Sequence, residues 1–390
     1  MQAARPPAPT TGHLDQVDLL RLLTFSAVIA VHSIDFTQTD ASRLAAGTLM
    51  ALQFGRAVFF ALTGFVLVHS TRNRSVAPMP FWRRRFAYVL VPYVVWTVVY
   101  YLFGEWTSSS PHYSWGILGG HLLGGDAQYH LYFLLVTMQL YLVFPWLVRF
   151  VRATAARAWW VLAAVATVDL VWLAELQYGS VPGGWAGQLW SRSYELLPTY
   201  AVYVLAGCYA AVHFERVAAF VQRHGRALLL VGGAGLVAAE VVYAVQLGAD
   251  PPRVAAAVLQ PVMMSASLGA LLVLVVVCQR WAAGRQSGRR FIGRASVISF
   301  GVYLAHPLVL SLLLTAGLGL DGRHVPALAA ALLAIAGTAV GAFAVSVLAR
   351  RTPLSLALTG RRWRRPSVAP SASAQAPSSA IATSVTTMAP

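Results

Sequence analysis

The stretch DLLRLLTFSAVIAVHSIDF, residues 18–36, is an apolar run long enough to cross a membrane as one helix, yet it contains Arg21 and His32. Eleven residues make about three helical turns, so the two side chains share one face about 16 Å apart along the axis. Titratable groups inside a membrane are costly and normally face a cavity or a polar partner. The spacing alone leaves two interpretations open. One is a functional site; the other is an arginine that reaches the interface and a histidine that bonds another helix.

Apolar runs of about twenty residues recur along the chain, and each predicts a membrane-spanning helix. The 390 residues are 58% hydrophobic and only 11% charged, about half the charged fraction of a soluble domain. The sequence therefore predicts an all-α, polytopic integral membrane protein with about ten transmembrane helices. The predicted helices are 17–35, 44–69, 86–103, 130–151, 158–176, 196–213, 227–247, 255–279, 295–316 and 325–349.

The placement of the basic residues predicts the orientation of these helices. All 29 are arginines, and the formal net charge is +16. With the N-terminus in the cytoplasm, 23 arginines fall on the cytoplasmic side, four on the opposite side, and Arg21 and Arg56 within helices. This is the positive-inside pattern, and it predicts that both termini are cytoplasmic. The charge is thereby assigned to membrane topology, so the lipid bilayer is a predicted partner and nucleic acid is not.

Composition also predicts the domain organisation. Residues 1–16 form a polar cytoplasmic tail, residues 17–350 one transmembrane domain, and residues 351–390 a basic and then disordered cytoplasmic tail. The two cysteines fall in different predicted helices, which indicates neither a disulfide framework nor a metal site. We predict a multi-pass protein of the plasma (inner) membrane.

Five short motifs follow one another between about residues 14 and 310. They are Asp18, Arg21 and His32 in the first predicted helix, FFALTG at 59–64, Arg83–Arg85 followed by Pro92-Tyr93, HLYFL at 130–134 and YLAH at 303–306. In order and spacing these motifs resemble the acyltransferase 3 family of membrane-bound acyltransferases. The chain departs from the family pattern at Thr63 (in place of serine), at Tyr132 (in place of tryptophan) and at Tyr88 (in place of a frequent second arginine).

The resemblance implies transfer of an acyl group, commonly acetyl, from acyl-CoA to a hydroxyl of a carbohydrate or glycosylated acceptor. It implies that His32 is the catalytic residue, as a general base or as a covalent carrier of the acyl group. Arginine suits the phosphates of coenzyme A, so Arg21, Arg85 and Arg84 are the predicted donor-binding residues. The predicted supporting residues are Asp18, Thr63, His130, Tyr303 and His306. No metal and no permanently bound cofactor is predicted; acyl-CoA enters as a substrate.

Two other functions remain open at the level of sequence. Charged and titratable residues inside a membrane also suit a proton-coupled secondary transporter. A non-catalytic component of a glycan export or assembly system is the third possibility. Arg56 lies outside the motifs, and we predict a structural ion pair between it and Asp169 or Glu240, which also fall in predicted helices.

Overall fold

The structure is a computed structural model that describes residues 13–72, 74–284, 287–316 and 325–363. Within these ranges the regular secondary structure is entirely helical, which confirms the predicted all-α class. The helices are α1 (Asp15–Thr37), α2 (Arg43–Leu52), α3 (Gly55–Thr71), α4 (Pro78–Thr107), α5 (Trp115–Gly124), α6 (Tyr132–Ala153), α7 (Ala158–Tyr178), α8 (Gly184–Ser191), α9 (Ala201–Val212), α10 (Phe214–Gln246), α11 (Pro252–Ala255), α12 (Pro261–Ala283), α13 (Arg289–Thr315), α14 (Ala327–Ala349) and α15 (Ser355–Thr359).

Nine helical segments of the described chain are long and apolar enough to cross a membrane. The predicted run 196–213 forms a shorter apolar helix, Leu197–Val212, in which a 3₁₀ turn at Leu197–Tyr200 leads into α9. Large apolar side chains on the outside of the bundle, such as Leu230 of α10 and Leu333 of α14, are exposed as expected for contact with lipid. The tenth crossing and the orientation in the membrane stay predictions.

The predicted run 44–69 is confirmed as one candidate membrane span, Arg43–Thr71, but the helix within it is interrupted. Helix α2 ends at Leu52, a turn follows at Gln53 and Phe54, and α3 begins at Gly55. A Cβ at Gly55 would stand 3.0 Å from a methyl group of Val28, so the start of α3 lies tightly against α1. The turn coincides with Gln53 and Gly55, but the mean hydropathy of the whole run stays high enough for one membrane span, so hydropathy alone predicts a single helix.

Helix α1 is the central element, because it packs against α2, α3, α12, α13 and α14. Its contact with α13 includes a polar link. The Ser296 hydroxyl donates to Asp18 Oδ1 at 2.6 Å, and Arg21 Nη1 donates to the Ser296 oxygen at 3.0 Å. Asp18 and Arg21 therefore hold two distant segments of the chain together at one end of the bundle, where Arg72, Arg74, Arg85 and Arg289 also lie. We call this the Arg-rich end; it includes Arg83–Arg85 at the start of α4.

Glycines bring neighbouring helices into backbone contact. Helices α3 and α9 meet so closely that a Cβ at Gly207 would stand 1.8 Å from the carbonyl oxygen of Ala61. Helices α10 and α12 meet at Gly232 and Gly269, where an added Cβ on either would stand 2.5–2.6 Å from the other's carbonyl oxygen. Small residues at such positions are how helices associate in lipid, where the hydrophobic effect does not drive them together.

We expect Gly232→Ala to lower the unfolding free energy by about 1–3 kcal/mol, because the new methyl group separates α10 from α12. Gly233→Ala is the matched control, since a Cβ there meets nothing within 4 Å. Thermal unfolding of both variants in the same detergent measures the difference. Equal melting temperatures would contradict the close contact between α10 and α12.

The segment after α14 returns to the bundle. Helix α15 packs against α4 and α13, and the Trp96 indole donates to the carbonyl oxygen of Leu358 at 3.1 Å. Gly360 ends α15 with φ +63°, a conformation that favours glycine, and a Cβ there would stand 2.5 Å from the ring of Phe300. Residues 364–390, where the disordered tail is predicted, lie outside the described residues.

Candidate active site

Three histidines from separate parts of the chain form a cluster inside the bundle. His32 comes from α1, His130 from the residues before α6, and His306 from α13. The ring centroid of His306 lies 5.6 Å from that of His32 and 5.3 Å from that of His130. Among the described residues no group of His, Cys, Asp and Glu side chains is arranged to hold a metal ion. The ring distances show that the structure brings together three of the predicted site residues, which we call the histidine cluster.

Two tyrosines complete the cluster. The Tyr129 ring lies against His32, with centroids 4.1 Å apart, and nothing in the sequence singled this residue out. The Tyr303 hydroxyl donates to the carbonyl oxygen of His130 at 2.6 Å. Because its hydrogen is already engaged, Tyr303 positions the segment that carries His130. Burial lowers the pKa of His130, which precedes the membrane-spanning part of α6, so its ring is neutral around pH 7.

Pro307 determines how His306 is held. Proline has no N–H, so the carbonyl of Tyr303, four residues earlier, loses its helical partner. His306 Nδ1 replaces it and lies 2.6 Å from that carbonyl oxygen. A carbonyl only accepts, so Nδ1 carries the proton, and the Nε2 of the neutral ring is left with a free lone pair. Nε2 is buried and has no hydrogen-bond partner, which leaves His306 able to accept a hydrogen bond within the cluster.

We expect Pro307→Ala to make the protein more stable and less active. The new N–H competes for the Tyr303 carbonyl, and His306 is no longer held with Nε2 unprotonated. The hydrogen bond that orients His306 contributes about 1 kcal/mol, and its loss corresponds to roughly a tenfold lower kcat. Thermal unfolding and turnover of the variant measure both effects. Pro145→Ala, inside α6 and away from the cluster, is the control. Unchanged turnover in Pro307→Ala would contradict this role.

His32 opens into a cavity of about 350 Å³, which we call the His32 cavity. Its lining includes Tyr129, His130 and Tyr303 as well as Asp35 and Arg253. Arg253 Nη1 is paired with the Asp35 carboxylate, and its Nη2 donates to the Asp35 carbonyl oxygen at 3.1 Å. His306 is fully buried and does not line the cavity. His130 lines the cavity but is only 3% exposed, whereas His32 is partly exposed, so of the three histidines His32 is the one best placed to meet a substrate.

The predicted ion pair of Arg56 is wrong. Arg56 lines the His32 cavity, and its Nη1 donates to the Tyr132 hydroxyl at 3.1 Å. Asp169 instead accepts from the backbone N–H of Val202 at 3.1 Å, and the Glu240 carboxylate lies beside Gly47 on another part of the bundle. The sequence prediction paired Arg56 with acidic residues of other helices, whereas the structure places it on the His32 cavity, just after the start of α3 at Gly55.

A second cavity, of about 280 Å³, lies toward the Arg-rich end, and we call it the Arg85 cavity. It is lined by the predicted donor residues Arg21 and Arg85 and by Thr63, Ser299 and Tyr303. Arg84 points away and is exposed, so the structure separates it from Arg85. Arg361, which follows α15, also lines this cavity, and no sequence feature distinguishes it from the other arginines of the C-terminal segment.

The two cavities share one wall. Phe59, Phe133 and Tyr303 line both of them and contact one another, with ring centroids 5.1 to 6.5 Å apart. An open depression of about 540 Å³ adjoins the Arg85 cavity at Arg21 and Val66, and Arg72 and Arg74 lie on it. From the Arg-rich end inward, the molecule thus offers a basic entrance, a cavity with arginines, an aromatic wall and the histidine cluster.

The fold defines a multi-pass membrane protein with two cavities, lined in part by polar residues, between its helices. Residues 14–351 match the acyltransferase domain that defines the acyltransferase 3 family, so the chain belongs to that family. The protein is therefore a membrane acyltransferase, and the resemblance seen in the five motifs is confirmed. No curated protein and no solved structure matches the chain.

Proposed function

We propose that the protein transfers an acetyl group from acetyl-CoA, bound at the Arg-rich end, to a hydroxyl of a carbohydrate or glycosylated acceptor in the His32 cavity. The observation that carries this proposal is the pair of cavities that meet at one aromatic wall beside the histidine cluster. A transferase for two substrates needs two binding sites that converge on one reacting centre. The positive-inside pattern supports a cytoplasmic Arg-rich end, on the side where coenzyme A is found.

The donor site follows from charge. Coenzyme A carries several phosphate charges and a long arm that ends in the thioester. The phosphates suit the basic entrance with Arg72 and Arg74, and guanidinium groups bind phosphate through paired hydrogen bonds. The arm then passes Arg21 and Arg85 and brings the thioester to the aromatic wall. Arg21 is already fixed by Ser296 and by Asp18, 3.8 Å away, so little ordering is needed on binding.

At the wall, His32 acts as the general base. It takes the proton of the acceptor hydroxyl while that oxygen attacks the thioester carbonyl carbon. The new C–O bond forms, the C–S bond breaks, and the sulfur leaves as a thiol once His32 returns the proton. Neutral His306, with its free Nε2, lies one ring away and supports the charge that appears on His32. An ester and free coenzyme A are the products, so atoms and charge balance.

The test uses purified protein in lipid nanodiscs with acetyl-CoA labelled in its acetyl group and a soluble glycan fraction as acceptor. We expect thiol release together with transfer of the label to the glycan. A transporter predicts that neither occurs, and in proteoliposomes it predicts movement of substrate without thiol release. A non-catalytic component predicts no label on the glycan at any protein concentration. Either of those results would overturn the proposed function.

A further inference from the structure

We propose that the His32 cavity binds an anionic group, so the acceptor carries a carboxylate or a phosphate close to the hydroxyl that is acylated. This rests on the proposed function for the role of the cavity. It rests on Arg56 for the charge, a residue that none of the five motifs includes. The inference therefore names the chemical class of the acceptor for this chain.

The lining of the His32 cavity carries an uncompensated positive charge. Its charged residues are Arg56, Arg253 and Asp35. Asp35 is taken by Arg253, whose Nε also lies 2.8 Å from Asp40. No carboxylate among the described residues lies within ion-pair distance of Arg56, and its protein partner is the neutral Tyr132 hydroxyl. A guanidinium has five N–H donors, so Arg56 keeps most of its donors for something else.

A cation in this position needs a counter-charge. Arginine inside a membrane is costly unless it pairs with an anion or lines a water-filled path. The protein keeps Arg56 in a cavity large enough for a sugar ring and provides no anion for it. We therefore infer that the substrate supplies the anion that pairs with Arg56.

The backbone adds to the same field. Helix α3 starts at Gly55, on the cavity wall, and its first turn has no side-chain cap. The N-terminus of a helix carries partial positive charge and exposes unpaired N–H groups. A broken membrane helix whose N-terminus points into a binding cavity is a recurrent way to hold an anion. His130, nearly fully buried on the same lining, has no hydrogen-bond partner on either ring nitrogen.

The test measures ligand-induced shifts in thermal unfolding of the full chain in nanodiscs, at constant ionic strength. Glucuronate, glucose 6-phosphate and glucose are the three probes; the first two separate a carboxylate from a phosphate. We expect at least one anionic sugar to stabilise the wild type and glucose to have no effect. Arg56→Gln should weaken that binding about 10- to 100-fold, and Arg56→Lys less. Arg43→Gln, at the start of α2 and off the cavity, should bind as the wild type does.

The ligand-free variant gives a second, independent result. An unpaired buried cation destabilises the empty protein, so Arg56→Gln should unfold at a higher temperature than the wild type. A structural role for Arg56 predicts the reverse. Equal binding of neutral and anionic sugars, no binding of either anionic sugar, or anion binding that survives in Arg56→Gln would each overturn the inference. Thiol release without anion binding would overturn the inference and leave the proposed function intact. Anion binding without thiol release would overturn the proposed function, and with it the acceptor role of the cavity, and leave only an anion site at Arg56.

Discussion

His32→Ala is expected to lower thiol release from acetyl-CoA by about 10²- to 10⁴-fold, the range for loss of a general base. The reason is positional. His32 lines the His32 cavity and is partly exposed there. His130 lines the same cavity but is nearly fully buried, and His306 is fully buried and does not line it. His32 is half-buried and borders an existing cavity, so its truncation enlarges that cavity and creates no new one within the packed core. The variant should therefore stay folded.

The control for this experiment is His121→Ala. His121 lies in α5, outside the His32 cavity, and pairs with Asp126 at 2.7 Å, so its loss should leave turnover unchanged. Rapid denaturation at neutral pH of a reaction with labelled acetyl-CoA, followed at once by removal of free label, separates the two chemical routes, because an acyl-imidazole is hydrolysed quickly in acid. Label retained on the wild type and absent from His32→Ala would indicate a covalent acyl-histidine in place of base catalysis. Turnover that persists in a folded His32→Ala would move the base assignment to His306.

The second large effect is expected at Arg85. Arg85→Gln should weaken acetyl-CoA binding about 10- to 100-fold, which corresponds to one or two charge-assisted hydrogen bonds. Arg84→Gln should change it about two- to threefold at most. The two substitutions remove the same charge from adjacent residues, so their effect on the long-range field is the same. Only Arg85 lines the cavity, and Arg84 is exposed.

Equilibrium binding of acetyl-CoA to the two variants in nanodiscs is the measurement, and kcat at saturating donor should change little in either. A purely topological role for the cluster Arg83–Arg85 predicts equal, small effects. Equal losses in both variants would therefore remove Arg85 from the donor site and leave the entrance arginines to bind the phosphates.

The apolar runs predict the membrane-spanning helices, and the family motifs name the three histidines that meet in the structure, but they do not name Ser296, which joins Asp18 and Arg21 to α13. Asp18, Arg21 and Ser296 contact each other although about 275 residues separate the first two from the third. Periodicity places Arg21 and His32 on one face of α1, and the structure puts one in each of two cavities on that face. Residue spacing within one helix survives folding, so predictions of this kind hold.

What the sequence did not reveal depends on backbone direction and on tertiary contact. Hydropathy predicts one helix over this run despite Gln53 and Gly55, so it predicts neither the turn at Gln53 and Phe54 nor the place of Arg56 on the His32 cavity. The family motif favours Arg85 over Arg84 but does not exclude Arg84, and the structure places Arg85 on the cavity and leaves Arg84 exposed. Tyr129 joins the cluster by ring contact with His32, and a tyrosine beside a helix start is common at membrane interfaces.

Helix α15 sets an order of events during biosynthesis. Thr359, Gly360 and Arg361 form part of the Arg85 cavity, and they leave the ribosome after every membrane-spanning helix of the described chain. A nascent protein with α1 to α14 already inserted therefore still lacks one side of this cavity. If the proposed function holds, thioester cleavage starts only when translation has passed Arg361 and the Trp96 indole has formed its hydrogen bond with the carbonyl oxygen of Leu358. Half-made chains in the membrane would then leave the cellular pool of acetyl-CoA untouched.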